Sequence, residues 1–148
     1  MKFINLEQNG IESWDEVVGF RNLPVLKRLT LSKNKIREIY CKPGFYDLYM
    51  ISIEDNLIDS WHSFDQLNNF KNITNIRCGG NPLLEKTGLS GRNIVIARLQ
   101  FLKSINGSEI EPSERRDAEL YYMKKTYEDY IQDRKLEMRV ELTNEALM

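Results

Sequence analysis

The chain reads Leu26-Lys-Arg-Leu29-Thr-Leu31-Ser-Lys-Asn34-Lys-Ile36 at residues 26–36, and this stretch decides the fold. It fits the pattern Leu-x-x-Leu-x-Leu-x-x-Asn-x-Leu of a leucine-rich repeat, which recurs in residues 4–11, 48–58 and 73–83. The asparagines of these segments are separated by 25, 22 and 25 residues, within the usual range of about 20–29. Four matches in phase predict a solenoid in which each repeat stacks on the next.

Each repeat is expected to supply one short strand, so the predicted fold class is an α/β leucine-rich repeat solenoid with short parallel strands. Residues 26–31, 48–53 and 73–78 are predicted to be neighbouring strands. Side chains alternate between the two faces of a strand, so every second residue points into the core. The predicted inward residues are Leu29, Leu31, Ile51, Ile53, Ile76 and Cys78.

Two residue types in the repeats are predicted to be structural. An asparagine stands where the chain turns inward after each strand, and its side-chain amide can satisfy backbone groups that the turn leaves unpaired. These residues are Asn9, Asn34, Asn56 and Asn81. Trp14 and Trp61 occupy the same position in two repeats, inside Ile-x-Ser-Trp, and we expect both to pack short helices onto the sheet. Ser13 and Glu16 are spaced as a capping box for the first of these helices.

After Leu83 the repeat pattern changes to that of a terminal cap. Residues 88–91 are predicted to form a loop, and residues 92–103 a helix, because apolar residues recur at 95, 96, 99 and 102. Ser113 is predicted to be the N-cap of an extended C-terminal helix that reaches about Leu142 and packs on the cap near Leu120. The predicted domains are therefore the repeats at 1–91, a C-terminal cap at 92–125 and a helical tail or linker at 126–148.

Composition argues against several classes of function. With 21 basic and 22 acidic residues the net charge is −1, so no overall attraction to nucleic acid or to an anionic membrane is expected. No apolar run approaches the roughly 20 residues of a membrane-spanning helix. The chain has one histidine, His62, and no nucleophile motif, phosphate-binding glycine loop or metal-ligand spacing. We therefore predict a protein that is not an enzyme and needs no cofactor or metal.

The concave face of the sheet is the predicted partner-binding surface, because the outward strand residues lie there. It is mixed in chemistry, with a methionine and two arginines, which are types enriched at the centres of interfaces. The candidate contact residues are Arg28, Thr30, Met50, Ser52, Glu54, Asn75 and Arg77. The alternative interpretation is that these side chains only solvate the sheet.

A further stretch resembles one known family. The string Ile110-x-Pro112-x-Glu114-Arg115-Arg116-x-Ala118-Glu119-Leu120-x-Tyr122 follows Asn81-Pro82-Leu83 and Ile94-Val95-Ile96-Ala97-Arg98-Leu99. Together these segments resemble the leucine-rich repeat and cap portion of the tubulin-folding cofactor E family, including its cofactor E-like members. The resemblance covers residues 45–125 well, whereas residues 1–44 match only as generic repeats.

The resemblance implies a cytoplasmic, cytoskeleton-associated chaperone that binds α-tubulin and acts with other tubulin-folding cofactors to assemble or dismantle the heterodimer. The first strand begins close to Met1, so we expect part of a longer protein, with Ile4 and Leu6 at an open edge and no dismantling of tubulin by this chain alone. Other capped-repeat scaffolds remain alternatives: a phosphatase-regulatory or dynein light-chain type, or a spliceosomal repeat protein.

Overall fold

The computed structural model describes residues 2–147 and contains one six-stranded sheet in the order β1-β2-β3-β4-β5-β6. The strands are β1 (Phe3–Asn5), β2 (Arg28–Thr30), β3 (Met50–Ser52), β4 (Asn75–Arg77), β5 (Ser104–Ile105) and β6 (Ser108–Glu109). Strands β1 to β5 pair in parallel, and β6 returns antiparallel to β5 as a hairpin. The predicted α/β leucine-rich repeat solenoid is confirmed.

Short helices connect the strands on the convex side. They are α1 (Asp15–Val18), α2 (Trp61–Gln66), α3 (Pro82–Thr87) and α4 (Gly91–Arg98), followed by the long C-terminal α5 (Pro112–Leu147). Single 3-10 turns lie at Gly19–Asn22, Leu67–Asn69 and Gly88–Ser90. The predicted Ser13–Glu16 pair forms in part, because Glu16 Oε2 accepts from the Ser13 amide and the Ser13 hydroxyl accepts from the Asp15 amide. The N-cap of α1 is Trp14, however, one residue after the predicted Ser13.

The core lies between the sheet and the convex helices, and the predicted register is confirmed. Leu29, Ile51 and Ile76 are direct neighbours in the sheet. All six residues predicted to point inward are at most 1% exposed. Burying a large aliphatic side chain contributes roughly 1.5–3 kcal/mol, so this row of apolar residues is the main stabilising feature of the repeats.

A ladder of asparagine amides joins the turns of successive repeats. The Asn34 Oδ1 accepts the amides of Asn9 and Ile11 at 3.0 Å each, and its Nδ2 donates to the carbonyls of Leu6 and Leu31. Asn56 and Asn81 repeat this arrangement one repeat further along. All three side chains are buried and bond to the backbone of two successive repeats, as expected for the structural role predicted for them.

Asn9 differs from the other three asparagines because β1 lies at the edge of the sheet. Its side chain is exposed and donates only to the Glu7 carbonyl, within its own turn. Ile4 and Leu6 are half-buried at this edge, whereas the equivalent residues of the inner repeats are fully buried. In the sheet that residues 2–147 form, β1 is therefore an edge strand with Ile4 and Leu6 less buried than their equivalents.

The cap differs from the sequence prediction in three places. Residues 88–91 do not form a loop, because a 3-10 turn at Gly88–Ser90 runs directly into α4. The helix predicted at residues 92–103 ends at Arg98, since Leu102 and Lys103 turn back to feed β5. The long helix begins at Pro112, so Ser113 is inside its first turn and is not the N-cap; proline is favoured at this position because it has no amide to satisfy.

The start of α5 is fastened to α4 by the string Glu114-Arg115-Arg116-x-Ala118. Glu114 pairs with Arg92 at 2.6 Å, and Ala118 is completely buried. The Arg115 guanidinium donates to the carbonyls of Ile96, Leu99 and Leu102, at and beyond the end of α4, and the Leu99 carbonyl also accepts the Leu102 amide. The packing predicted near Leu120 is made by Ala118 and by Tyr122, whose ring centre lies 5.4 Å from the Arg98 guanidinium carbon, while the Leu120 side chain itself is 53% exposed.

Candidate functional site

The concave face carries the outward side chains of the strands in two rows that the pairing register defines. One row contains Arg28, Met50, Asn75 and Ser104, and the other contains Thr30, Ser52 and Arg77. Neighbouring strands lie about 4.8 Å apart, so side chains of one row are close neighbours across the sheet. The structure therefore brings the candidate contact residues onto one continuous surface.

The two arginines are the most accessible candidates. Arg28 and Arg77 are both exposed, and neither forms an ion pair with any residue between positions 2 and 147. The Arg28 guanidinium carbon lies 5.4 Å from the centre of the Phe3 ring, which orients the side chain by a cation–π contact. Both charges remain free to meet a negative partner.

The other candidates are less exposed, and one is a correction. Met50, Asn75, Thr30 and Glu54 are half-buried. Ser52 is only 4% exposed, because its hydroxyl bonds to the buried Ser32 hydroxyl at 2.7 Å across the adjacent strands. An outward position in a strand therefore does not by itself predict exposure. Ser52 is therefore part of the floor of the concave face.

An open groove of about 770 Å³ runs over the cap end of the concave face. It is lined by Arg28, Met50, Asn75 and Arg77, and also by Tyr49, Lys103, Ser104, Gly107 and Glu109, none of which was among the candidates. Lys103 was missed because the sequence pattern placed it inside the helix predicted at residues 92–103. The helix ends at Arg98, so Lys103 directly precedes β5 and lines the groove.

Carboxylates gather on the concave face along the C-terminal ends of the strands. A smaller groove there of about 280 Å³ is lined in part by Glu7, Lys33, Glu54 and Asp55, and it shares Arg28, Met50 and Arg77 with the larger groove. Lys33 Nζ lies 2.8 Å from Glu7 Oε1, and this hydrogen bond raises the pKa of the lysine above its usual value. One of the few cations at this side is thus already paired.

The two tryptophans predicted to be structural lie on the convex side. Trp14 is buried and meets the Phe70 ring edge-on, with 6.3 Å between ring centres. Trp61 is half-buried, and the Arg98 guanidinium carbon lies 5.1 Å above its ring while Arg98 also pairs with Asp65 at 2.8 Å. Both side chains are remote from the concave face, and their contacts pack the helices of the convex side.

Three further features bear on the chemistry of the molecule: possible metal ligands, the apolar length of the helices and the buried thiol of Cys78. Between residues 2 and 147 no three histidine, cysteine, aspartate or glutamate side chains are grouped as metal ligands, and no helix in that range could cross a membrane. Burial raises the pKa of the Cys78 thiol to about 12, so it remains protonated as a small apolar core residue. The chemistry that the concave face offers is recognition through charge, amides and one thioether.

No family model matches the chain. Its sequence is nevertheless similar to those of several known proteins. The chain is 31% identical to tubulin-folding cofactor E of Arabidopsis thaliana and 30% identical to tubulin-specific chaperone cofactor E-like protein of Homo sapiens. It is also 31% identical to tubulin-specific chaperone E of Bos taurus. Each match covers 84% of this chain but only 26%, 31% and 25% of the respective relative.

A solved structure shows the same fold. The chain aligns with one chain in the crystal structure of the Drosophila melanogaster SNF/U2A' complex, with a TM-score of 0.74 and 21% identity. The alignment covers 90% of this chain and 75% of the chain in that complex. The solved structure thus shows the same fold as this chain, and the sequence relatives show its family. The resemblance predicted from the sequence is confirmed: the chain is a leucine-rich repeat and cap relative of the tubulin-folding cofactor E and cofactor E-like family.

Proposed function

We propose that this protein is a non-enzymatic, tubulin-binding module that contacts α-tubulin in the folding, assembly or disassembly of the tubulin heterodimer. The observation that carries the proposal is the match of 84% of the chain to proteins named tubulin-specific chaperone E or tubulin-folding cofactor E. The chain spans about a quarter to a third of those relatives, so contact with other tubulin-folding cofactors is also part of the proposal. Its place of action is then the cytoplasm, on or near the cytoskeleton.

The concave face is the surface that supports such binding best. Its strands are held by a parallel ladder and by the asparagine amides, so the contact residues are fixed before a partner arrives. A preorganised surface loses little conformational entropy on binding. Arg28 and Arg77 present unpaired charges to an acidic partner, and Met50 lies between them as an apolar contact.

Sedimentation of labelled tubulin heterodimer with this chain, at low and at moderate salt, tests the proposal. We expect a complex that weakens as salt rises, because surface charges are screened over about 8–10 Å. The Arg28→Glu/Arg77→Glu variant should bind less tightly and lose most of the salt dependence. A matched double charge reversal at exposed Arg37 and Arg116 should leave binding unchanged.

Absence of a complex at either salt concentration, with the chain shown to be folded by circular dichroism, would refute the proposal. The remaining candidates would then be the other capped-repeat scaffolds, of phosphatase-regulatory, dynein light-chain or spliceosomal type. The solved-structure match does not favour the last of these, because at 21% identity it reports only the fold.

A further inference from the structure

One row of backbone hydrogen bonds crosses the sheet at the edge where the strands begin. The Lys27 amide donates to the Lys2 carbonyl, and the Tyr49 amide donates to the Lys27 carbonyl, at 2.8 and 3.0 Å. The Thr74 amide donates to Tyr49, and the Lys103 amide to Thr74, at 3.0 and 2.7 Å. These five residues therefore stand side by side, and three of them are lysines. We call this row, which runs across the N-terminal ends of the strands, the N-terminal edge, as distinct from the edge strand β1.

Further cationic and aromatic groups extend the N-terminal edge. Arg28 is the next residue after Lys27, and Lys71 is exposed just ahead of Asn72, whose side chain donates to the Tyr46 carbonyl. The Tyr46 side chain is itself 60% exposed. None of the basic groups is in an ion pair among residues 2–147.

The edge where the strands end has the opposite charge. Continuing the pairing register by two residues aligns Glu7, Ser32, Glu54 and Gly79, and Asp55 follows directly. The backbone confirms this alignment, because the Lys33 amide donates to Glu54 and the Asp55 amide to Gly79, both at 2.9 Å. The two edges are five residues apart, or about 16 Å at the rise of a strand. On the concave face, Arg28 and Lys103 thus lie where the strands begin, and Glu7, Glu54 and Asp55 lie where they end, while Arg28 and Arg77 line both grooves.

We propose that the N-terminal edge binds an acidic, extended segment of a protein partner, which lies across strands β1 to β5. This inference rests on the proposed function, and it identifies the kind of partner segment and the side of the face that it contacts. Four steps of about 4.8 Å separate β1 from β5, so about six extended residues span the row. Carboxylates of the segment would meet Lys27, Arg28 and Lys103, while an apolar side chain contacts Tyr49 and Met50.

The same surface favours a protein segment over a nucleic acid. Glu109 and Glu111 line the groove at the cap end, where they would repel an evenly spaced phosphate backbone. A peptide can place a neutral or basic residue opposite these two carboxylates and its acidic residues opposite the lysines. The acidic C-terminal edge also repels such a segment, so complementary charge fixes the direction from which the partner approaches.

Two measurements on the complete chain test this assignment. In the first, an amide-resolved NMR titration uses a synthetic octapeptide of alternating glutamate and leucine as the probe. We expect salt-sensitive shifts at the amides of Lys27, Tyr49 and Lys103. Shifts at Glu7, Glu54 and Asp55 instead, or no shifts at low salt, would overturn the proposal, as would tighter binding of a single-stranded RNA of the same length to this edge.

In the second measurement, tubulin heterodimer is the probe, and Lys27→Glu/Lys103→Glu is compared with a control, Lys35→Glu/Lys124→Glu, at exposed sites away from the edge. We expect about tenfold or greater weakening for the first pair and little change for the control. Equal binding by both variants would overturn the assignment while leaving tubulin binding intact. Failure of wild type to bind tubulin, with the peptide still mapped to the N-terminal edge, would refute the proposed function and leave this surface standing. Urea unfolding midpoints near that of wild type exclude misfolding.

Discussion

At the scale of single residues, the side-chain amide of asparagine provides a geometry that other side chains cannot. It has an acceptor and two donors on one short, rigid group, and Asn34 uses all of them between two repeats. The residue before each asparagine turns the chain in the left-handed region, with φ of 57° at Lys33, 53° at Asp55 and 72° at Gly80. The turn and the amide together bring each strand back towards the convex side.

Replacement of Asn56 tests this role. The Asn56→Ala variant should lose roughly 1–3 kcal/mol of unfolding free energy, because the buried Ile36 amide loses its acceptor. The Leu31 and Ile53 carbonyls each keep one donor, from Asn34 and Asn81. The exposed Asn9→Ala is the matched control and should change stability little. Urea denaturation followed by circular dichroism gives both values. Equal midpoints for the two variants would contradict the role of the ladder.

A second prediction at this scale concerns Glu114 and pH. The hydrogen bond from Arg92 holds the pKa of this carboxyl below its ordinary value. A depressed pKa contributes stability above the unfolded-state value, near pH 4.3, and the contribution is lost as pH falls through the folded-state value. Glu114→Gln should therefore be less stable than wild type at neutral pH, by about 1 kcal/mol or less for a partly exposed pair. The difference should disappear in acid, and a difference that grows below pH 4 would contradict the pairing.

At the scale of elements, one side chain of α5 helps to hold the cap by bonding to the end of another helix, α4. Arg115 in α5 satisfies three carbonyls at and beyond the end of α4, an arrangement that fixes the angle between the two helices. The Arg115→Gln variant is expected to lose roughly 1–3 kcal/mol, because the shorter side chain cannot reach all three acceptors. Arg116→Gln is the control, since Arg116 is exposed on the same turn. Thermal unfolding of both variants decides, and parallel losses would contradict the argument.

The difference between repeats and cap explains what the sequence could predict. Strand register follows from a pattern repeated four times, so Leu29, Ile51 and Ile76 were placed correctly by their spacing alone. Arg115 and Asn106 occur once, and their partners lie 13 or more residues away in the chain. The side chain of Asn106 accepts the Cys78 amide at 2.9 Å, although Asn106 is not one of the four asparagines that the repeat pattern identifies. Such single contacts leave no period to detect. Ser52 shows the same limit on the concave face, where exposure depends on neighbouring strands.

At the scale of the whole molecule, the chain divides into a packed solenoid and a helix that leaves it. Beyond Tyr122 nearly every side chain of α5 is exposed, including Tyr127, Leu136 and Met138. A chain ending after Thr126 should therefore unfold at the same temperature as the full chain, while losing helical signal at 222 nm. Calorimetry and circular dichroism of the two chains make the comparison. A drop of several degrees would show that the tail, predicted at residues 126–148, contributes to the solenoid.

The asparagine ladder also determines how the molecule would respond to a mechanical load. Each amide bridges two turns, so pulling the ends of the solenoid apart loads one boundary between repeats at a time. The boundary next to β1 has an exposed Asn9 and half-buried apolar residues, whereas the cap end is fastened by Arg115 and Glu114. Under tension we expect the first repeat to detach first and the cap last. The array then yields as a series of small steps with a fixed direction.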